Sequence, residues 1–201
     1  MVTPCAHCQG SFIRRRLRAD ALRETEQPAA ADAAYRKLLN TSEAAAAWHG
    51  LGLLAGRRGD YAVAVNAFHE AARREPTNAV MLGDLGYAQL RAGEIAAARV
   101  SIAQAAELAP DNRKILGNLA LFLLVSGEKS KAEAVMEQAK LPIESRSTAY
   151  RLAEEMKKCT VGIDCVGASN ADAHVALRSS TADNFAVSLR RALPEVSSAS
   201  Q

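Results

Sequence analysis

Aromatic side chains are scarce, 4% of 201 residues, too few for a β-sandwich or barrel, whose cores lean on aromatic and β-branched residues. No run of about 18 apolar residues occurs, so no membrane-spanning helix is expected. The formal net charge of +3 is small for this length and gives no general electrostatic case for nucleic acid. The opening stretch "MVTPCAHCQGSFIRRRLRAD" lacks the unbroken apolar core of a secretory signal, because Thr3, His7, Gln9 and Ser11 interrupt it. As written, the chain is expected in the cytoplasm. The four histidines, His7, His49, His69 and His174, stand at no spacing that implies a nucleophile or a metal partner, so no catalytic set, metal or cofactor is expected.

What is abundant is alanine, within a hydrophobic content of 49%. That combination favours closely packed helices, and an all-α fold follows. The stretch "WHGLGLLAGRRGDY" (48–61) invites reading as a phosphate-cradling glycine loop. Such a loop needs a strand before it and a helix opening after it. A shift of 34 residues gives a different answer. "LGDLGYAQLRAGEI" (82–95) and "LGNLALFLLVSGEK" (116–129) repeat the same pattern, with Trp48, Leu82 and Leu116 in register, and likewise Gly52, Gly86 and Ala120. Gly59, Gly93 and Gly127 align too, then Ala64, Ala98 and Ala132, Phe68, Ile102 and Met136, and the closing Pro76 and Pro110.

This is the tetratricopeptide pattern of two-helix units at a 34-residue period. The small residue at Gly52, Gly86 and Ala120 lets the first helix (A) of each unit approach the second (B), where Ala64, Ala98 and Ala132 supply the matching face. The glycine at 59, 93 and 127 ends helix A in the left-handed region, and Pro76 and Pro110 end helix B. The expected organisation is a flexible segment 1–28, a capping helix 29–44 with Tyr35, Leu38 and Leu39 inward, and repeats 45–78, 79–112 and 113–146. A capping helix 147–158 and a mostly disordered tail 159–201, with at most a short helix at 181–193, complete it. In the third repeat Pro142 stands two residues early.

Stacked hairpins curve, and their inner wall, built from A helices, becomes a groove for a partner helix or extended peptide. The A-helix residues expected to face it are His49, Leu53 and Arg57, then Val80, Tyr87, Leu90 and Arg91, then Lys114, Leu121, Leu124 and Val125. The bland alternative is that the chain's own tail or terminal helix covers several of them. A charged residue at Tyr87 or Leu121 is expected to abolish partner capture while leaving the fold intact. Chaperone-binding tetratricopeptide domains grip a C-terminal carboxylate with lysine and asparagine residues. The matching positions here hold His49, Leu53, Asp84, Lys114 and Asn118, of which only Lys114 fits, so no such clamp is expected.

Cys5 and Cys8 form half of a zinc or redox motif and Cys159 and Cys165 a wider pair. A zinc site would need both ends of the chain together, and a lone C-x-x-C without a βαβ context is a poor redox signature, so free thiols are the default reading. In an exported chain disulfides become plausible. "FIRRRLR" (12–18) mixes basic and apolar residues in the manner of a segment that touches anionic lipid or RNA, though so short a cluster is more simply a solvated segment.

The stretch "NLALFLLVSGEKSKAEAVM" (118–136), followed by "STAYRLAEEM" (147–156), resembles the TadD family, the tetratricopeptide proteins of the tight-adherence (Flp) pilus assembly machinery of bacteria. The resemblance covers roughly residues 29–158. It implies a non-enzymatic scaffold, in most members a lipoprotein on the periplasmic side of the outer membrane, serving the pilus secretin. Neither Cys5, preceded by "VTP", nor Cys8, preceded by "CAH", has the small apolar lead-in of a lipid-attachment cysteine, a departure that bears on anchoring and not on the scaffold. The cytoplasmic chaperones of type III secretion translocators are similar in size and repeat number but carry more aromatic residues in their repeats. A zinc or thiol-redox protein using the cysteine pairs is the alternative from another class.

Overall fold

The computed structural model describes residues 6–160, with side chains from Gly10 to Lys158. These residues form α1 (Ala6–Glu24), α2 (Pro28–Arg36), α3 (Ala44–Arg57), α4 (Tyr61–Arg74), α5 (Ala79–Arg91), α6 (Ile95–Leu108), α7 (Arg113–Val125), α8 (Lys129–Gln138) and α9 (Ile143–Thr160). No strand occurs among the described residues. Helix α9 runs two residues into the tail expected at 159–201; the rest of that tail, with its helix at 181–193, lies outside the described residues, as do Cys5, Cys165 and His174. Nor are the side chains of Cys8 and Cys159 described.

Each turn from helix A to helix B is built the same way. Gly59, Gly93 and Gly127 sit at φ of 80, 82 and 83°, where a side chain is disfavoured. The following N–H reaches back across the turn: Asp60 donates to the Ala55 carbonyl at 3.0 Å, Glu94 to Gln89 at 2.8 Å and Glu128 to Leu123 at 2.8 Å. This left-handed cap satisfies carbonyls that the ending helix leaves open. The starts of helices α5 and α7 are also alike. Asn78 accepts from the Val80 and Met81 N–H groups, and Asn112 from Lys114 and Ile115, the short side chain standing in for missing helical acceptors.

Helix pairs then close on small residues. A methyl group at Gly52 would lie 2.6 Å from the Phe68 ring, and one at Gly86 would lie 2.4 Å from Ile102 Cγ1 and 3.1 Å from the Ile102 backbone nitrogen. Ala64, Ala98, Ala120 and Ala132 are wholly buried. Trp48 packs with Ala45, Ala71 and Met81, and the Arg74 guanidinium lies 5.8 Å from its ring centroid. Helices α4 and α6 stop two residues before Pro76 and Pro110. In the third unit the early Pro142 has a visible effect. Helix α8 has only 10 residues against 14 in α4, and the chain turns at Lys140, φ 47°, where Arg146 binds the Met136 and Leu141 carbonyls.

The N-terminal segment departs from expectation. Residues 6–24, read from the sequence as flexible, are helix α1, and the capping helix placed at 29–44 is the shorter α2 followed by turns. Together α1 and α2 form a further hairpin of the same design. Ala19, Ala31, Tyr35 and Leu38, each wholly buried, stand 33 residues before Gly52, Ala64, Phe68 and Ala71. Glu26 has a φ of 59° at the place of Gly59, and the Gln27 N–H donates to the Leu22 carbonyl at 2.9 Å, as Asp60 does to Ala55. One residue is missing from the period, so a search at 34 passes over the unit.

Tyr35 joins this hairpin to the next. Its ring fills the space where a Gly50 methyl group would stand, 2.3 Å away, and its hydroxyl donates to Asp20 at 2.7 Å and accepts from Arg23 at 3.3 Å. Burial first, then the bond to Asp20, pushes the phenol up to about 12. At the other end α9 starts at Ile143, earlier than expected. Leu152 and Ala153 bury themselves on the third unit, and Ala149 is nearly as closed.

Two glycine substitutions separate the two uses of glycine. Gly86→Val forces the α5–α6 crossing apart and is expected to cost about 3 kcal/mol, as overpacking does. Gly93→Ala strains only the turn and is expected to cost about 1 kcal/mol. Urea unfolding of both variants measures this, with the larger midpoint shift at position 86.

Candidate functional site

The first helices of the hairpins are α1, α3, α5 and α7, the elements expected to line an inner wall, and a buried polar link crosses three of them. Asp84, on α5, is 5% exposed. Its carboxylate oxygens face His49 Nε2 on α3 at 2.9 Å and Lys114 Nζ on α7 at 2.5 Å. An ionised carboxylate only accepts, so the His49 Nε2 carries the hydrogen. Beside it, the buried Asn118 side-chain amide donates to the Gly83 carbonyl at 2.9 Å, a second tie between α7 and α5. Burial by itself would push the Asp84 carboxyl up, but Lys114 and His49 outweigh it and hold the group well below the usual carboxylate range. His49 also lies against the Phe68 ring, 5.4 Å between centroids.

Lys114 therefore meets a carboxylate supplied from within the chain. Among the positions compared with the chaperone clamp it was the one match, and Asp84 now neutralises it. A buried carboxylate that loses its cation is costly, so this link is a structural tie between neighbouring units before it is anything else.

The expected groove residues divide into two groups. Leu90, Leu121 and Leu124 are at most 4% exposed and belong to the core shared by α5 to α9. Their placement on an open wall is corrected: these leucines pack among Ala98, Ile102, Leu116, Ala120 and Met136 between neighbouring helices, and α9, through Ala149 and Leu152, closes over Leu121. His49, Leu53, Tyr87, Arg91, Lys114 and Val125 are half-buried, and Val80 is 43% exposed. Arg57, expected on a basic rim, donates instead to the Arg23 carbonyl at 3.0 Å, closing the C-terminal end of α1. Arg91 binds the Tyr87 hydroxyl at 3.1 Å and lies over the Tyr61 ring, 4.5 Å from its centroid.

Sequence reasoning missed Ile13 and Leu17. Both are on α1, exposed to 42% and 53%, and Ile13 has the same place in its unit as Ala46, Val80 and Lys114. The signal was present as the apolar spacing inside "FIRRRLR", but without α1 as a repeat unit nothing assigned it to this wall. Among the described residues no group of three or more His, Cys, Asp or Glu side chains is arranged to hold a metal ion, and no helix is long and apolar enough to cross a membrane.

This geometry defines an all-α solenoid of helical hairpins. The tetratricopeptide repeat family model matches residues 49–113 and 84–147, and that part of the chain is a tandem of tetratricopeptide repeats. A TPR repeat-containing protein of Pseudomonas aeruginosa is 50% identical over 76 residues, which covers 38% of this chain and 31% of that protein. The chain thus matches under a third of that relative's length. A Bacteroides ovatus crystal structure described as protein binding aligns over 83% of this chain and 94% of its own, at 17% identity and a TM-score of 0.39.

Asp84 and Leu121 give two measurable consequences. A carboxyl of lowered pKa contributes stability above its ordinary value, 3.8, and loses it as pH falls. Chemical unfolding from pH 7 down to about 3 should show a steeper loss in the natural protein than in Asp84→Asn, which is less stable at neutral pH. Leu121→Glu buries a charge in the core and should lower stability by about 3 kcal/mol or more, while Tyr87→Glu, half-exposed, should lower it by less than about 1 kcal/mol.

Proposed function

We propose that the chain is a non-enzymatic scaffold that holds a protein segment, helical or extended, along its inner wall. The observation that carries the reading is the apolar row at one repeated position, Ile13, Ala46 and Val80, with Ile13 and Val80 exposed, above a floor fixed by the His49–Asp84–Lys114 link. Tetratricopeptide stacks in general act as protein-interaction scaffolds. A segment with apolar residues spaced to meet successive A helices would bury this row, with Tyr87 and Leu53 beside it, and the rigid floor limits the ordering cost of binding.

The finer reading is a place in tight-adherence (Flp) pilus assembly, with a component of the secretin apparatus as partner and the cell envelope as location. It is supported by the resemblance of residues 118–136 and the helix after them to the TadD family. The alternative of a type III secretion chaperone finds no particular observation in its favour.

The test uses Val80→Glu and Tyr87→Ala, two changes outside the sealed core. Captured from the native host, the natural protein is expected to bring down pilus-secretion components, and Val80→Glu to lose them at least tenfold, a change of about 1.4 kcal/mol, with the circular-dichroism melt unmoved. Equal capture by both variants would remove the wall as the site. Capture of proteins unrelated to pilus secretion would remove the finer reading and leave the wall.

A further inference from the structure

The outer end of the stack carries a second surface of different chemistry. In each of the three later units, three A-helix positions at the junctions between hairpins are apolar: Ala47, Trp48 and Leu51, then Met81, Leu82 and Leu85, then Ile115, Leu116 and Leu119. Ala47 and Leu51 bury themselves on Ala31, Tyr35 and Leu38 of the preceding hairpin, while Trp48 lies mainly against Ala45, Ala71 and Met81. In the α1–α2 unit the same three positions are Arg14, Arg15 and Arg18.

The remainder of that face keeps its apolar character. Leu22 and Ala34 replace Ala55 and Ala67 of the next unit, and with Leu38 they floor an open groove of about 530 Å³ between α1 and α2. Arg15 and Arg18 stand on one edge and Lys37 on the other. All three cations are exposed, and none forms an ion pair with another described residue. Arg15 lies over the Phe12 ring, 5.7 Å from its centroid. The nearby acids are engaged elsewhere: Asp20 with Arg16 and Tyr35, and Asp32 with Arg36.

We propose that this α1–α2 groove is a docking site for an acidic amphipathic helix of a partner protein, which takes the place that the second helix of a preceding unit would hold. Stacking units elsewhere in the chain shows that this face, in its interior form, accepts a helix. Cations on both edges of an apolar floor then select one whose apolar stripe is flanked by Asp or Glu on either side. Surface charge also serves solubility, but that role needs no groove and no cations on two opposed edges. An anionic membrane fits less well. The floor residue Leu38 is wholly buried, so a flat surface would meet the edge cations without reaching the apolar floor between them. The site is separate from the inner wall and does not depend on the function proposed for it.

The experiment titrates the full chain with a labelled synthetic amphipathic helix carrying glutamate on both flanks, and with the same peptide carrying glutamine. Vesicles containing phosphatidylglycerol form the third probe. The glutamate peptide is expected to bind, more weakly as salt rises, with affinity at least tenfold above the glutamine peptide. The double variant Arg15→Glu/Lys37→Glu should abolish that difference, and Arg18→Glu alone should reduce it, with unchanged circular dichroism in both, while Tyr87→Ala leaves it intact. Equal binding of the two peptides, no binding of either, or insensitivity to charge reversal overturns the proposal. So does vesicle binding that the double variant loses while the peptides do not bind.

Discussion

Everything in this molecule depends on how near two helices can come at one point. At Gly52 and Gly86 the backbone of helix A rests against the side chain of the facing B helix, leaving no room for a methyl group. Because that contact repeats, successive hairpins cross alike, and each leaves an apolar face that a neighbouring hairpin, or α9 at the last unit, covers. The left-handed glycine turns make the same statement in the backbone. They set the angle at which B returns along A, and three identical turns give three hairpins that stack in register.

The close stacking has a functional consequence at the inner wall. Where α5 and α7 come together at Gly83 and Ile115 and α9 packs on α7, the large apolar residues are closed off, and what is left outward is a narrow row and its flanks. A polar link under that row would be expensive if any member lacked a partner, yet Asp84, His49 and Lys114 complete one another, and Asn118 finds a backbone carbonyl. Such a network defines register between units more than it adds stability. On the function proposed above, a wall fixed in this way would present side chains in place before a partner arrives.

The repeat was legible because its signature rests on residues with no substitute: a glycine at positive φ, a glycine or alanine at a crossing, a proline after a helix. Those residues announced α3 to α8. The hairpin α1–α2 hid from the same reading for physical reasons. Tyr35 fills the place of Phe68 and Glu26 takes the turn that Gly59 takes without strain, so the turn loses its glycine signal although Ala19 and Ala31 fit the pattern, and one deleted residue breaks the period. The inner wall was legible only as a set of positions. Which of them stay open depends on how closely neighbouring A helices approach, and sequence spacing does not carry that distance: Leu90, Leu121 and Leu124 lie on the stripe that faces inward and are nonetheless sealed. Asp84 stood in the sequence only as a position that does not match a carboxylate clamp, and its partners sit 35 residues before and 30 after it in the chain.

The first and last of the described hairpins differ in what their outer faces carry. Helix α9 closes the last unit with Leu152 and Ala153 inward, whereas the first unit leaves arginines where its successors are apolar. Whether α1–α2 is a full member of the cooperative stack is the most direct question to put to this account. Native-state hydrogen exchange on the intact chain answers it: amides of α1 and α2 should be protected to within the range of α3 to α8, and Tyr35→Ala should lower that protection in α1, α2 and α3 together. Exchange in α1 and α2 at the rate of an unfolded chain, with α3 to α8 fully protected, would contradict it.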